Sequence, residues 1–166
     1  MAVKTQITVE EYLQTSFEVD CEYLDGEVVE RNVGEYAHSK AQRRLVFSFG
    51  LLSQRLPFYA CPEIRVQVAP RRYRVVDLAV FAGDEPAERV PSQPPLVAIE
   101  IVSRKDVYRD IIDKLEDYRK WGVSRVWLVD PWIGKLYTYS AAGLTDVASL
   151  QIPEYGVEIP AAEVLG

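Results

Sequence analysis

The chain has 166 residues, 48% of them hydrophobic and 27% charged, with a formal net charge of −6. Those values describe one globular domain with its own core and exclude a disordered chain. They also exclude a generic, surface-wide nucleic-acid binder, and no apolar run approaches the roughly 18 residues that cross a bilayer.

The opening stretch MAVKTQITVEEYL has neither the apolar core nor the cleavage site of a secretion signal, so a cytoplasmic protein is expected. Thr8 with Glu11 forms a capping box for a short helix at about Val9–Gln14. Asp25-Gly26, between Glu22-Tyr23-Leu24 and Glu27-Val28-Val29-Glu30, signals a type I′ hairpin. From about Tyr36 to Leu56 a helical pattern puts Leu45, Phe49, Leu52 and Leu56 on one stripe, and Pro57 ends it. Ile64–Ala69 and Tyr73–Phe81 read as strands joined by the turn Pro70-Arg71-Arg72. Gly83–Pro95, with four prolines, reads as loop.

Leu96–Val102 is an apolar strand interrupted by Glu100. Asp106 is expected to cap a helix over about Val107–Trp121, which Gly122 ends. Val126–Val129 reads as a buried strand, Trp132–Tyr139 and Thr145–Val147 as later strands, and Pro160–Leu165 as one helical turn. Strand, helix and strand over 96–129 demand a right-handed parallel crossover. The expected fold is α/β: one domain over residues 1–166, with a mixed central sheet flanked by helices.

Chemistry is restricted by what is scarce. His38 is the only histidine, which excludes multi-histidine zinc sites. Cys21 and Cys61 have no metal-type spacing and read as reduced thiols. Without a GxSxG elbow, Walker loop or GxGxxG, catalysis must rest on carboxylates, lysine and a hard metal. Charge is also uneven. Lys40, Arg43, Arg44, Arg55, Arg65, Arg71, Arg72 and Arg74 follow one another with Glu63 the one acid among them, whereas the first 35 residues hold nine acids against Lys4 and Arg31. The basic stretch reads either as a phosphate-contacting surface, with Lys40, Arg43, Arg44, Arg71, Arg72 and Arg74 gripping a nucleic-acid backbone, or as a solvated helix face and charged turn.

Two carboxylates stand where strands should be apolar. Alternation sets Asp77 on one face with Val75, Ala79 and Phe81, while Val76, Leu78 and Val80 make the other face apolar too. Glu100 shares a face with Leu96, Ala98 and Val102. A lone carboxylate so placed costs several kcal/mol. A shared divalent cation, Mg²⁺ or Mn²⁺, explains both; the alternative pairs each with its own buried Arg or Lys. In the following helix Lys114 lies about 60° from a buried stripe centred on Ile111, at the core's margin, with Asp110 and Tyr118 as i±4 neighbours. There it either reaches the carboxylate site, to orient a water or stabilise a phosphorane, or pairs with Asp110 at the surface.

Asp77 and Glu100 on adjacent strands, followed by a crossover helix, resemble the core of PD-(D/E)XK restriction-endonuclease-like nucleases. Tyr23-Leu24-Asp25-Gly26-Glu27-Val28-Val29, the Pro95–Ser103 strand, Asp110-x-x-x-Lys114-x-x-x-Tyr118 and Gly122–Pro131 together resemble the Uma-two family, a bacterial domain abundant in cyanobacteria, over roughly Thr5 to Pro160. The resemblance implies a Mg²⁺-dependent endonuclease acting on DNA, with Asp77, Glu100 and the Ile101 carbonyl as metal ligands. Val76 replaces the motif's Pro, and Val102 its Lys. The resemblance makes Lys114 a migrated replacement and Lys105 a second candidate. Glu22, Glu27, His38 and Tyr118 are expected to line the same cleft. A homodimer would address two strands. Two other readings stay open: a non-catalytic nucleic-acid-binding or accessory module on the same fold, and a structural protein whose buried acids merely pair with bases.

Overall fold

Thr8 and Glu11 make the reciprocal bonds of a capping box, and helix α1 runs Val9–Gln14. A computed structural model describes residues 6–166; the start of the opening stretch, on which the reading of a missing secretion signal rests, lies outside them. Strands β1 (Cys21–Leu24) and β2 (Glu27–Glu30) pair through Asp25-Gly26, both at positive φ as a type I′ turn requires. Helix α2 spans Tyr36–Leu52, four residues shorter than expected; turns carry the chain from there to Pro57. Its buried stripe is His38, Ala41, Leu45 and Phe49.

Strands β3 (Phe58–Ala69) and β4 (Arg72–Ala82) form the longest hairpin, and β3 starts well before the expected Ile64. Residues 83–96 are irregular, as expected. Strand β5 (Val97–Ile101), helix α3 (Tyr108–Trp121) and β6 (Arg125–Asp130) make the parallel crossover, with Gly122 in the left-handed conformation at the helix end. Asp106 does not cap α3. Val107 is the N-cap, and the Asp106 carboxylate instead accepts from Ser103 N–H and from Asn32. Trp132 to Gly134 is a turn, so β7 starts only at Lys135 (Lys135–Ser140) and is followed by β8 (Gly143–Val147). The hairpin of β9 (Ser149–Ile152) and β10 (Val157–Pro160) is absent from the sequence reading; α4 (Ala161–Leu165) closes the chain.

The main sheet runs β2-β1-β4-β5-β6-β7-β8, with β3 also on β4; β5 and β6 are its parallel pair. One face packs Leu78, Val80, Ile99, Ile101 and Trp127 against Leu45 and Phe49 of α2. The other packs Val66, Val76, Ala79, Ala98 and Leu128 against Leu115 and Tyr118 of α3. This is the expected α/β layering with helices on both faces.

Two irregularities position the site. One edge of β4 pairs first with β1, at Arg72 and Tyr73, and then with β5, at Leu78 to Val80. The sheet therefore forks, and Arg74 to Asp77 face the gap. Strict alternation also fails at the gap. Val76 shares a face with Ala79 and Phe81 rather than with Leu78 and Val80, and in β3 Cys61 shares a face with Ile64. The slip falls at Glu63 and Asp77, which the register would set opposite each other, and Glu63 has φ 50°. A non-glycine residue at positive φ marks real local strain.

Phe49 is fully buried, with its ring centroid 6.2 Å from Phe58 and 6.4 Å from Trp127. Phe49→Ala should cost about 3–5 kcal/mol of unfolding free energy, measured by urea denaturation.

Candidate active site and metal centre

Backbone groups in the fork lack a strand partner, and side chains take their place. Val75 N–H donates to Glu22 Oε1 (3.0 Å), and Val75 C=O accepts from Lys114 Nζ (2.8 Å). Lys114 also contacts Glu22 Oε1 at 2.9 Å and Glu100 Oε2 at 3.0 Å. All three ammonium donors are thereby engaged. Asp110 is exposed and lines the cleft, so the surface pairing with Lys114 is not the one formed.

Asp77 and Glu100 come together. Ile101 N–H, next to Glu100, donates to Asp77 Oδ2 at 2.8 Å. His38 Nε2 lies 3.2 Å from the same oxygen. Asp77 Oδ1 is taken by Arg31, whose Nη2 is 2.5 Å away and whose Nη1 pairs with Glu63. Glu100 Oε1 accepts from Tyr118 Oη at 2.6 Å. The Asp77 carbonyl, facing the slip in the ladder, accepts from Gln42 Nε2 at 2.8 Å. Both carboxylates are thus counter-charged, Asp77 by a guanidinium and Glu100 by an ammonium, within one cluster.

Burial pushes the Asp77 carboxyl upward, but the His38 hydrogen bond and then the charges of Lys114, His38 and Arg31 outweigh it and keep Asp77 ionised. Glu100 goes the other way: burial, reinforced by the charge of Asp77, raises its carboxyl above the usual range. Burial would strip the Lys114 proton, yet Glu100, Glu22 and Asp77 together hold it more firmly than in an ordinary lysine. Glu22, opposed by burial but held by Lys114 and Arg74, stays ionised.

These groups floor a cleft of about 720 Å³ that opens between the β1–β2 hairpin, the segment after β2 and the start of α3. Glu27, on β2, and exposed Lys105 line its wall. Tyr118 is fully buried behind Glu100. Of the basic residues read as phosphate contacts, Arg74 is buried against Glu22, Asp113 and Asp117, and Arg72 is tied to Asp25, Asp113 and Asp117. Arg44 donates to the Ala162 and Glu163 carbonyls at the end of the chain. Arg43 and Arg71 are exposed and Lys40 half-exposed.

The donor set suits a hard cation. Mg²⁺ takes one or two carboxylates plus water, and Asp77, Glu100 and the Ile101 carbonyl offer oxygen alone. Arg31 already stands as a cation on Asp77. Among the described residues no three Asp, Glu, His or Cys side chains form a ligand group, so backbone and water would complete the shell.

Sequence reasoning missed Arg31, Gln42, Asp113 and Asp117 as members of the site. Gln42 was within reach, one turn beyond His38, and Asp113 and Asp117 flank Lys114 on one helical margin. Arg31, at the end of a hairpin, carries no local signal. Gly34 does have a reason: a Cβ there would meet His38 Nδ1 at 2.7 Å.

A family model described as "Uma2: Putative restriction endonuclease" matches residues 9–165, in agreement with the family resemblance of the motifs. A solved structure described as "a putative nuclease belonging to DUF820 from Anabaena variabilis ATCC 29413" matches with a TM-score of 0.82. The two chains are 19% identical, and the match covers 96% of this chain and 97% of that one, a likeness of fold. No curated protein matches the sequence. No helix among the described residues is long and apolar enough to cross a membrane.

Burial pushes the His38 pKa down, but the bond to Asp77 outweighs it and leaves the value above 6.5. A raised folded-state pKa gives stability that is complete below the unfolded value and lost as pH rises through the folded one. Denaturation at a series of pH values should therefore show a shallower alkaline loss of stability in His38→Gln than in the parent.

Proposed function

We propose, from the premise that this chain belongs to the Uma2 family, that it is a Mg²⁺- or Mn²⁺-dependent endonuclease hydrolysing DNA phosphodiester bonds. The observation that carries this reading is the meeting of Asp77 and Glu100 in one cleft, joined through Ile101 N–H. The chain acts as a single cytoplasmic domain, and a homodimer would set two clefts against two strands.

Asp77, Glu100 and the Ile101 carbonyl would hold the cation. When bound, it supplies Lewis acidity at a phosphoryl oxygen and a more acidic water. In the reaction water adds to phosphorus, the bond to the leaving sugar oxygen breaks, and that oxygen takes up a proton. Lys114 keeps its own proton, because each N–H already has an acceptor. Its work is to fix the Glu100 carboxylate and to supply positive charge beneath the phosphate. Tyr118 holds the second Glu100 oxygen, and His38 orients Asp77. Lys105, which lines the cleft, would meet substrate phosphate.

Arg31 favours a second reading. Its guanidinium sits on Asp77 Oδ1, as it would in a nucleic-acid-binding module that kept the fold and lost its chemistry.

Cleavage separates the two. Plasmid nicking should require Mg²⁺ or Mn²⁺ and fall at least about 10²-fold in Asp77→Ala and Glu100→Ala. DNA binding without any nicking by the parent would establish the second reading. A Lys114→Ala protein cutting at the parent rate would remove that residue from the mechanism. In calorimetric titration Arg31→Gln should bind Mn²⁺ more tightly than the parent, because Asp77 Oδ1 no longer has a competing cation.

A further inference from the structure

Beside the cleft lies a feature that metal binding does not use. The six residues from Arg104 to Arg109 carry three cations, Arg104, Lys105 and Arg109, in a chain of net charge −6. Asp106 is the acid among them, and both its oxygens are engaged, by Ser103 N–H and by Asn32. These bonds tie the loop to the segment after β2. Across from it the β6–β7 turn is rigid too, since Asp130 Oδ1 accepts from the N–H groups of Trp132 and Ile133.

The two turns meet with the Arg104 guanidinium 4.9 Å from the centre of the Trp132 ring. Trp132 Nε1 donates to the Val102 carbonyl at 3.2 Å, two residues beyond Glu100. Large apolar surface is left open on the same two segments: Ile133, next to Trp132, is 62% exposed and Val107 58%. Asp110, at the cleft edge, is the nearest counter-charge along the helix. Lys105 and Val107 line the acid-floored cleft, and the Arg104–Trp132 pair lies next to them in the fold; cations beside an indole complement a strand that carries both phosphates and flat bases.

We infer that Arg104 and Trp132, with Lys105 beside them, form a stacking platform for an unpaired base next to the scissile phosphate, so that single-stranded or frayed DNA is the substrate class. This rests on the nuclease reading. Two residues of extended chain separate Val102 from Glu100, roughly 7 Å, a distance one nucleotide of single strand can span. In an intact duplex both base faces are already stacked, and the platform has nothing to receive. An unpaired base can extend the indole–guanidinium stack while Lys105 meets its phosphate.

The test uses the full chain with Ca²⁺ as the divalent cation and a short fluorescein-labelled oligodeoxynucleotide, either single-stranded or as a hairpin-closed duplex. Anisotropy should show Trp132→Ala and Arg104→Ala weakening single-strand binding by about tenfold, with duplex binding unchanged. Trp132→Phe should restore most of the affinity. Single-stranded DNA should quench the parent's tryptophan fluorescence and leave that of Trp132→Phe unchanged. Unaltered single-strand affinity in Trp132→Ala overturns the platform and leaves the nuclease reading standing. So does an equal loss on the duplex, which would mark a general phosphate contact. If the parent neither binds nor cuts DNA in any form, the nuclease reading falls as well.

Discussion

Between its pairing with β1 and its pairing with β5, strand β4 has backbone groups that no strand satisfies. A buried N–H or C=O without a partner costs about 1–3 kcal/mol, so the gap must be filled by side chains. Glu22 and Lys114 fill it at Val75. Each brings a charge into the interior, and each charge then needs another. Glu22 requires Arg74, Arg74 requires Asp113 and Asp117, and Lys114 requires Glu100. Removing one member of such a network leaves an uncompensated buried ion, worth about 3–5 kcal/mol. The charged site is thus the solution to a backbone problem as well as the place where chemistry is expected.

The second irregularity aims the cluster. Because β3 and β4 both slip phase at Glu63 and Asp77, the Asp77 side chain leaves the apolar alternation and turns toward β5. Gln42 heals the released carbonyl, and Glu63 holds the other nitrogen of Arg31. The charge balance has a consequence. Arg72 and Arg74 answer Asp113 and Asp117 behind the floor, while the lining of the cleft as a whole sets ten carboxyl groups against Arg31, Arg74, Lys105 and Lys114, with His38 as a fifth base when protonated. Ten acids against four or five bases leave the cleft negative, even with the Glu100 carboxyl raised above its usual range. On the proposed reading a polyanion would meet repulsion there, which a divalent cation bound in the cleft would relieve.

What the sequence made legible were features with local causes: the capping box, the I′ turn, Leu45 and Phe49 on the buried stripe of α2 (Leu56 lies beyond the helix), and the crossover from β5 to β6. Asp77 and Glu100 stood out for a thermodynamic reason, since charge in an apolar strand demands an explanation. Arg72 and Arg74 were misleading on the same grounds. Two arginines near a turn look like surface, and only the fork and the acidic margin of α3 make them internal counter-ions. Asp106 has the composition of a cap, but a nearer donor at Ser103 claims it. The β9–β10 hairpin has a local turn signature in Pro153 and in Gly156 at φ 64°, but its strands are short and are held by packing under α2, a long-range cause.

Val102 and Lys114 bear on one another. Val102, where the wider superfamily carries its lysine, points to the face on which α3 lies and packs there with Ile111 and Leu115. A lysine at 102 and a lysine at 114 would therefore start from opposite sides of one layer and end in the same space. From the strand, an ammonium would approach its neighbour Glu100 along the sheet and keep donors for solvent. From the helix it arrives over the fork, where Val75, Glu22 and Glu100 take all three donors. Those three acceptors lock Lys114 as fixed charge. That is why proton transfer in this site cannot be assigned to Lys114, whereas positioning of Glu100 can.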